Sequence, residues 1–169
     1  MSGSPQIAHP KLVVADTGPL NALANVNCFE FLRELFSELA IPEMVYREAT
    51  HYSTLPVARA VRQAAWINTI PVQDRVAVEV LRNELDDGES ETIVLARELG
   101  ASLILIDEKL ARRKTAQMGL KTIGTLGILV MAKTSGLTPT VRSHLDALKS
   151  SSFRMTRKLY DEILQRAGE

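Results

Sequence analysis

The chain has 169 residues, 46% of them hydrophobic, enough to bury one sizeable core and too few for two comfortable domains. Its 20 basic and 20 acidic residues cancel, so affinity for a polyanion must come from local patches and not from the total. The single cysteine, Cys28, has no second thiol or histidine at a ligand-like spacing, which excludes disulfides and zinc sites, and no run approaches the roughly 18 apolar residues of a membrane span.

Residues 1–10 are polar and Pro/Ser-rich with no apolar signal core; they read as a flexible tail on a cytoplasmic protein, with 11–169 as a single domain. Residues 11–16 form a short apolar run that ends on an acid, Asp16, and Thr17-Gly18-Pro19 then punctuates the backbone. That pattern predicts a buried strand with a carboxylate at its C-terminal end. Phe29, Leu32, Leu35, Phe36 and Leu39 recur at helical spacing with Arg33, Glu34 and Glu38 between them, which predicts an amphipathic helix. Ile41 centres a brief second strand, and Pro42 takes the favoured N1 position of a helix over 43–49. Residues 55–65 predict a helix, 66–70 a third strand closed by Pro71, and Asp74 begins a helix with Val76, Val80 and Leu81 on one side.

The segment 86–99 is a helix with an acidic first turn and a glycine exit at Gly100. Residues 102–107 repeat the design of the first strand, unbroken apolar residues followed by Asp107, as a parallel strand covered on both faces requires. A basic helix over 110–118 ends at Gly119, and 120–123 is a last short strand. Three helical pieces follow: 126–134 ended by Gly136, 139–148 capped by Thr138, and 157–166 capped by Thr156. Strands alternating with helices over most of the length predict a doubly wound α/β sheet with extra C-terminal helices.

In an open α/β sheet, sites form outside the carboxyl ends of the strands, where both Asp16 and Asp107 are expected. Glu48, after the second strand, and Glu89, in the first turn of the helix leading to Asp107, can point to the same rim. Carboxylates brought that close raise one another's pKa, and a divalent cation removes the conflict. Oxygen donors without histidine or thiolate suit Mg²⁺ or Mn²⁺, and such an ion activates a water and stabilises phosphate oxygens. Each acid also has a plain structural reading: Asp16 as a turn former, Glu48 as a solvated charge, Glu89 as the partner of Asp86 in a capping box. Glu91 should project from a different face of its helix and ranks behind Glu89. Lys109, Arg112, Arg113 and Lys114 follow Asp107 closely enough to flank a phosphate backbone, or to form a solvated helix face.

The stretches 14–20, 41–48, 88–96 and 105–108 together resemble the PIN-domain family. They are similar in particular to its bacterial and archaeal subgroup in which a "GE…E" helix start replaces the usual aspartate, and which also carries a segment like 119–129. The resemblance implies a three-layer α/β/α sandwich around a parallel sheet of about five strands, with an acidic pocket for Mg²⁺ or Mn²⁺. It assigns Asp16, Glu48, Glu89 and Asp107 as catalytic metal ligands, Glu89 standing where the family generally has Asp, with Thr17 as a supporting residue. It further implies an RNA substrate, an antitoxin protein as partner and a homodimer.

The leading reading is therefore a metal-dependent endoribonuclease. Its alternative is a PIN-like module that binds nucleic acid or protein without cutting. A phospho-accepting aspartate domain fits less well, because Asp16-Thr17-Gly18 lacks a neighbouring second acid. His9, His51 and His144 have no recognisable triad partners, and Trp66, Tyr46, Tyr52 and Tyr160 are read as core or interface residues before base-stacking ones.

Overall fold

A computed structural model describes residues 12–169; the expected tail and Lys11 lie outside the described residues. In chain order the elements are β1 (Leu12–Ala15), α1 (Thr17–Asn25), α2 (Phe31–Leu35), β2 (Glu38–Pro42), α3 (Glu43–Thr50), α4 (Pro56–Gln63) and β3 (Ile67–Ile70). They continue with α5 (Arg75–Leu81), α6 (Asp87–Leu99), β4 (Leu103–Leu105), α7 (Lys109–Gln117), β5 (Thr122–Ile123), α8 (Thr125–Thr134), α9 (Arg142–Ser150) and α10 (Arg157–Arg166). Among the described residues, no helix is long and apolar enough to cross a membrane.

The five strands form one sheet in the order β3-β2-β1-β4-β5, every neighbour parallel. Strand β1 is central because Val13, Val14 and Ala15 are wholly buried, and only a strand covered on both faces can be apolar at successive positions. Alternation then sorts the two faces: Val13, Ala15, Leu39, Ile41 and Leu105 pack with α1–α4 and α8–α10, while Val14, Ala40, Ile104 and Ile106 pack with α5, α6 and α7. This is the three-layer α/β/α arrangement that the sequence implied. From β1 the chain winds outward through β2 to β3, then crosses to β4 on the other side of β1. The winding therefore reverses between β1 and β4, and a crevice opens there at the carboxyl ends of the strands.

Several local expectations change. The helix expected through Leu39 stops at Phe36, which is extended (φ −125°, ψ 133°), and Leu39 lies inside β2 opposite Val13. Its spacing fits both periods, and pairing on both edges of β2 decides for the strand. Pro42 ends β2 and caps α3 from outside instead of standing at N1. Thr17-Gly18-Pro19 is the first turn of α1 and no mere break, since a proline in a first turn forfeits no helical hydrogen bond. On α5 it is Val78 that is buried; Val76 and Val80 are 76% and 64% exposed. Helix α9 begins at Arg142, so Thr138 does not cap it.

Candidate functional site

Asp16 immediately follows β1, and its backbone N–H donates to the Leu105 carbonyl at 2.9 Å, which fixes it beside the end of β4. Asp107 lies two residues past β4 and turns its carboxylate onto the start of α8. There Thr125 donates to it twice, from its N–H at 2.7 Å and from its hydroxyl at 2.6 Å. A methyl placed on Gly18 would lie 3.6 Å from Asp107 Oδ2 and 3.9 Å from Asp16 Oδ2, so the two carboxylates flank one point.

Glu48 reaches the same rim from the last turn of α3. The Thr17 hydroxyl donates to its Oε2, and Gly88 donates a backbone hydrogen bond. Its carboxylate packs so closely on α6 that a side chain at Gly88 would come within 2.6 Å of it. Glu89 is one half of a complete capping box: its N–H donates to Asp86 Oδ1 at 2.7 Å, and its Oε2 accepts from the Asp86 N–H at 3.1 Å. The capping reading of Glu89 therefore holds, and it leaves the other oxygen, Oε1, outside the box.

Together these groups line a hollow of about 700 Å³ that holds Asp16, Glu48, Glu89 and Asp107, with Asp86 and Glu108 added. Crowding acts on the titration of three of them. Burial pushes Asp16 up to about 7, against the opposing hydrogen bond from the Thr17 N–H and with help from Asp86, Glu89 and Glu48. Loss of water raises Glu48 and Glu89 as well; the charge of Asp86 adds to both, while its N–H, donating to Glu89, opposes the rise there. Asp16 thus holds its proton far more tightly than an ordinary aspartate, a state that a nearby cation would reverse.

The donor set is oxygen only, with no histidine or cysteine among the lining residues, which fits a hard divalent ion. Among the described residues, no three of His, Cys, Asp and Glu close on a single point at direct-ligand distance.

The remaining sequence expectations divide. Glu91 does not line the hollow: it is buried, pairs with Arg75 at 2.8 Å and accepts the Met44 N–H at 3.3 Å, so it ties α6 to the start of α3. Of the four basic residues on α7 only Arg112 lines the hollow; Lys114 pairs with Glu84 at 2.6 Å, and Lys109 and Arg113 face solvent elsewhere. None of Trp66, Tyr46, Tyr52 and Tyr160 lines it either. The aromatic that does is Phe153, joined by Arg154 and by Arg166 of α10. No local pattern marks these three, since only the docking of α9 and α10 brings them to the sheet.

His144 is a part-buried histidine with a structural partner that its spacing in the sequence does not announce. Its Nδ1 lies 3.2 Å from Cys28 Sγ and its Nε2 lies 2.9 Å from Thr138 Oγ1. Thr138 spends its own hydrogen on the Thr140 carbonyl, so Nε2 is the protonated ring nitrogen, while the one thiol hydrogen is shared between Nδ1 and the Val26 carbonyl, 3.4 Å from Sγ. Burial pushes the Cys28 thiol up to about 11 and the His144 imidazole down, so no thiolate forms near neutral pH and the group is a structural pin. His51 packs edge-on against Tyr52, and His9 lies outside the described residues.

A protein-family model described as a PIN domain matches residues 12–169. No curated protein is similar enough to match the chain.

Proposed function

We propose, from the premise that the chain belongs to the PIN-domain family, that it is a metal-dependent endoribonuclease acting at the hollow between β1 and β4. PIN domains are in general nucleases and typically use divalent metal ions. The observation that carries the finer reading is the meeting of Asp16, Glu48, Glu89 and Asp107 in one oxygen-lined hollow at the reversal point of the sheet. These four would hold Mg²⁺ or Mn²⁺, some of them through water, and the bound ion supplies an activated water and neutralises phosphate charge.

The chain's own groups set the geometry. The Thr17 hydroxyl and the Gly88 N–H aim Glu48, Thr125 fixes both oxygens of Asp107, and Asp86 fixes one oxygen of Glu89. Asp16, whose burial favours its protonated form, would have to release that proton to hold a cation, which would join metal uptake to pH. Arg112, exposed at the edge of the hollow, is placed to meet a phosphate oxygen.

A second reading, a module that binds without cutting, has one observation in its favour. No three acids converge at direct-ligand distance, and Glu89 and Asp107 already serve helix ends. Incubating purified protein with single-stranded and structured RNAs in Mn²⁺, Mg²⁺ or EDTA separates the two. The nuclease reading expects metal-dependent cleavage that falls on the order of a thousandfold in Asp16→Asn, several kcal/mol of lost charge stabilisation. No cleavage, with no metal uptake by calorimetry, would transfer the assignment to the binding module. The motif resemblance extends the proposal to a toxin held by an antitoxin and to a homodimer; growth arrest on expression and sedimentation of the purified chain test those parts.

A further inference from the structure

We propose that the wall facing the acids, built from Phe153, Arg154 and Arg166, is a subsite for one unpaired nucleotide of a single strand, with Arg112 beside Asp107 at its edge. The base would lie against Phe153 and the phosphate between the arginines and the acidic rim. The choice of a nucleic-acid strand rests on the nuclease reading; the subsite rests on the following geometry.

Arg112, Arg154 and Arg166 line the same hollow as six carboxylates, all three are exposed, and among the described residues none forms an ion pair with any of them. Elsewhere the molecule pairs its arginines readily, as with Arg75, Arg82 and Arg97. The guanidinium groups of Arg154 and Arg166, unpaired with these acids, leave room for an anion on their own side, and phosphate is the anion whose geometry the guanidinium fork matches.

Between the charged walls lies apolar surface from Leu126, Leu159, Ile163 and Phe153. Phe153 is half-buried, packed against the core on one side and open to the hollow on another. A flat ring beside cations is how proteins hold a base whose faces are free, and a duplex hides those faces. A second hollow of about 390 Å³ begins on the other side of the same residues, lined by Lys149, Phe153, Arg154, Met155 and Thr156. Two hollows that share Phe153 and Arg154 trace a path for successive nucleotides, which favours a strand over a free mononucleotide.

Fluorescence anisotropy in EDTA, with a short unstructured RNA and its duplex as probes, reads this wall without cleavage. Wild-type protein should prefer the strand. Phe153→Leu, which keeps apolar bulk against the core but removes the ring, should weaken strand binding roughly tenfold and leave duplex binding unchanged, with Phe153→Trp restoring it. Arg154→Ala and Arg166→Ala should each lower the salt slope of log affinity by about 0.7. Wild-type affinity and salt slope in all of these variants would overturn the subsite. If the wild type cleaves RNA while Phe153→Leu binds unchanged, the subsite fails and the nuclease reading stands; if the strand preference depends on Phe153 but nothing is cleaved in Mn²⁺ or Mg²⁺, the reverse holds.

Discussion

The two walls of the central hollow are built on opposite plans. On the acid wall the carboxylates are held by hydrogen bonds from neighbouring structure: Asp107 by Thr125, Glu48 by Thr17, Glu89 by the Asp86 N–H. On the facing wall the arginines have no ion pairs among the described residues, and Phe153 is fixed only by packing. The difference teaches that mutually repelling groups have to be restrained by local structure, whereas isolated cations and a ring packed on the core need no such restraint. Glycines mark the restrained side, because only Gly88 and Gly124 leave room for the carboxylates lying on them at 2.6 Å and 2.7 Å from where a side chain would begin.

The largest expected effect breaks the restraint through pH. Asp16 rises from 3.8 to about 7 on folding, so the folded chain holds this proton more tightly than the unfolded one. The contribution of Asp16 to metal-free stability should therefore be greatest below about pH 4, fall as pH climbs from about 4 to about 7, and level off above, a loss of up to about 4 kcal/mol. Thermal melts between about pH 4 and about pH 7 should show the slope in wild type and a much shallower one, left by Glu48 and Glu89, in Asp16→Asn, and saturating Mn²⁺ should flatten it. A parallel slope in both proteins would place the strain elsewhere.

Next in size is Gly88→Ala. The added methyl meets only the mobile end of Glu48, so the fold should keep its melting temperature within a few degrees while Glu48 is pushed off the rim. Cleavage should drop about ten- to a hundredfold, the usual cost of disturbing the support of a metal ligand. Wild-type activity in this variant would remove Glu48 from the site. The smallest effect belongs to Glu91, which stands behind the acid wall. Glu91→Gln keeps an acceptor for the Met44 N–H but loses the charge pair with half-exposed Arg75, and denaturant titration should show about 1 kcal/mol or less. Activity should follow stability, and a larger activity loss would promote Glu91 to the rim.

Much of the acid wall was legible because its signals are local. A strand running straight into Asp16 or Asp107 is visible in six residues, and Asp86-x-x-Glu89 announces its capping box in four. Asp86 itself was read only as a cap, although it lines the hollow and bears on Asp16, Glu48 and Glu89. The facing wall was not legible at all, because Phe153 and Arg166 reach the strand ends only when α8–α10 fold back over the sheet. Local period also misled where tertiary pairing won: Leu39 fits a helix and sits in β2, and Val76 fits a buried face that solvent occupies. The 116-residue separation of Cys28 and His144 lies beyond any spacing rule.

That last contact has a use of its own. Cys28 is the chain's lone sulfhydryl, 1% exposed and kept protonated by its surroundings. An alkylating reagent can reach it only when the α1–α2 turn parts from α9, so the rate of labelling reports how often the sheet's helical cover opens. The protein carries a built-in clock for its own breathing, placed in the layer that bears the C-terminal wall and away from the acids.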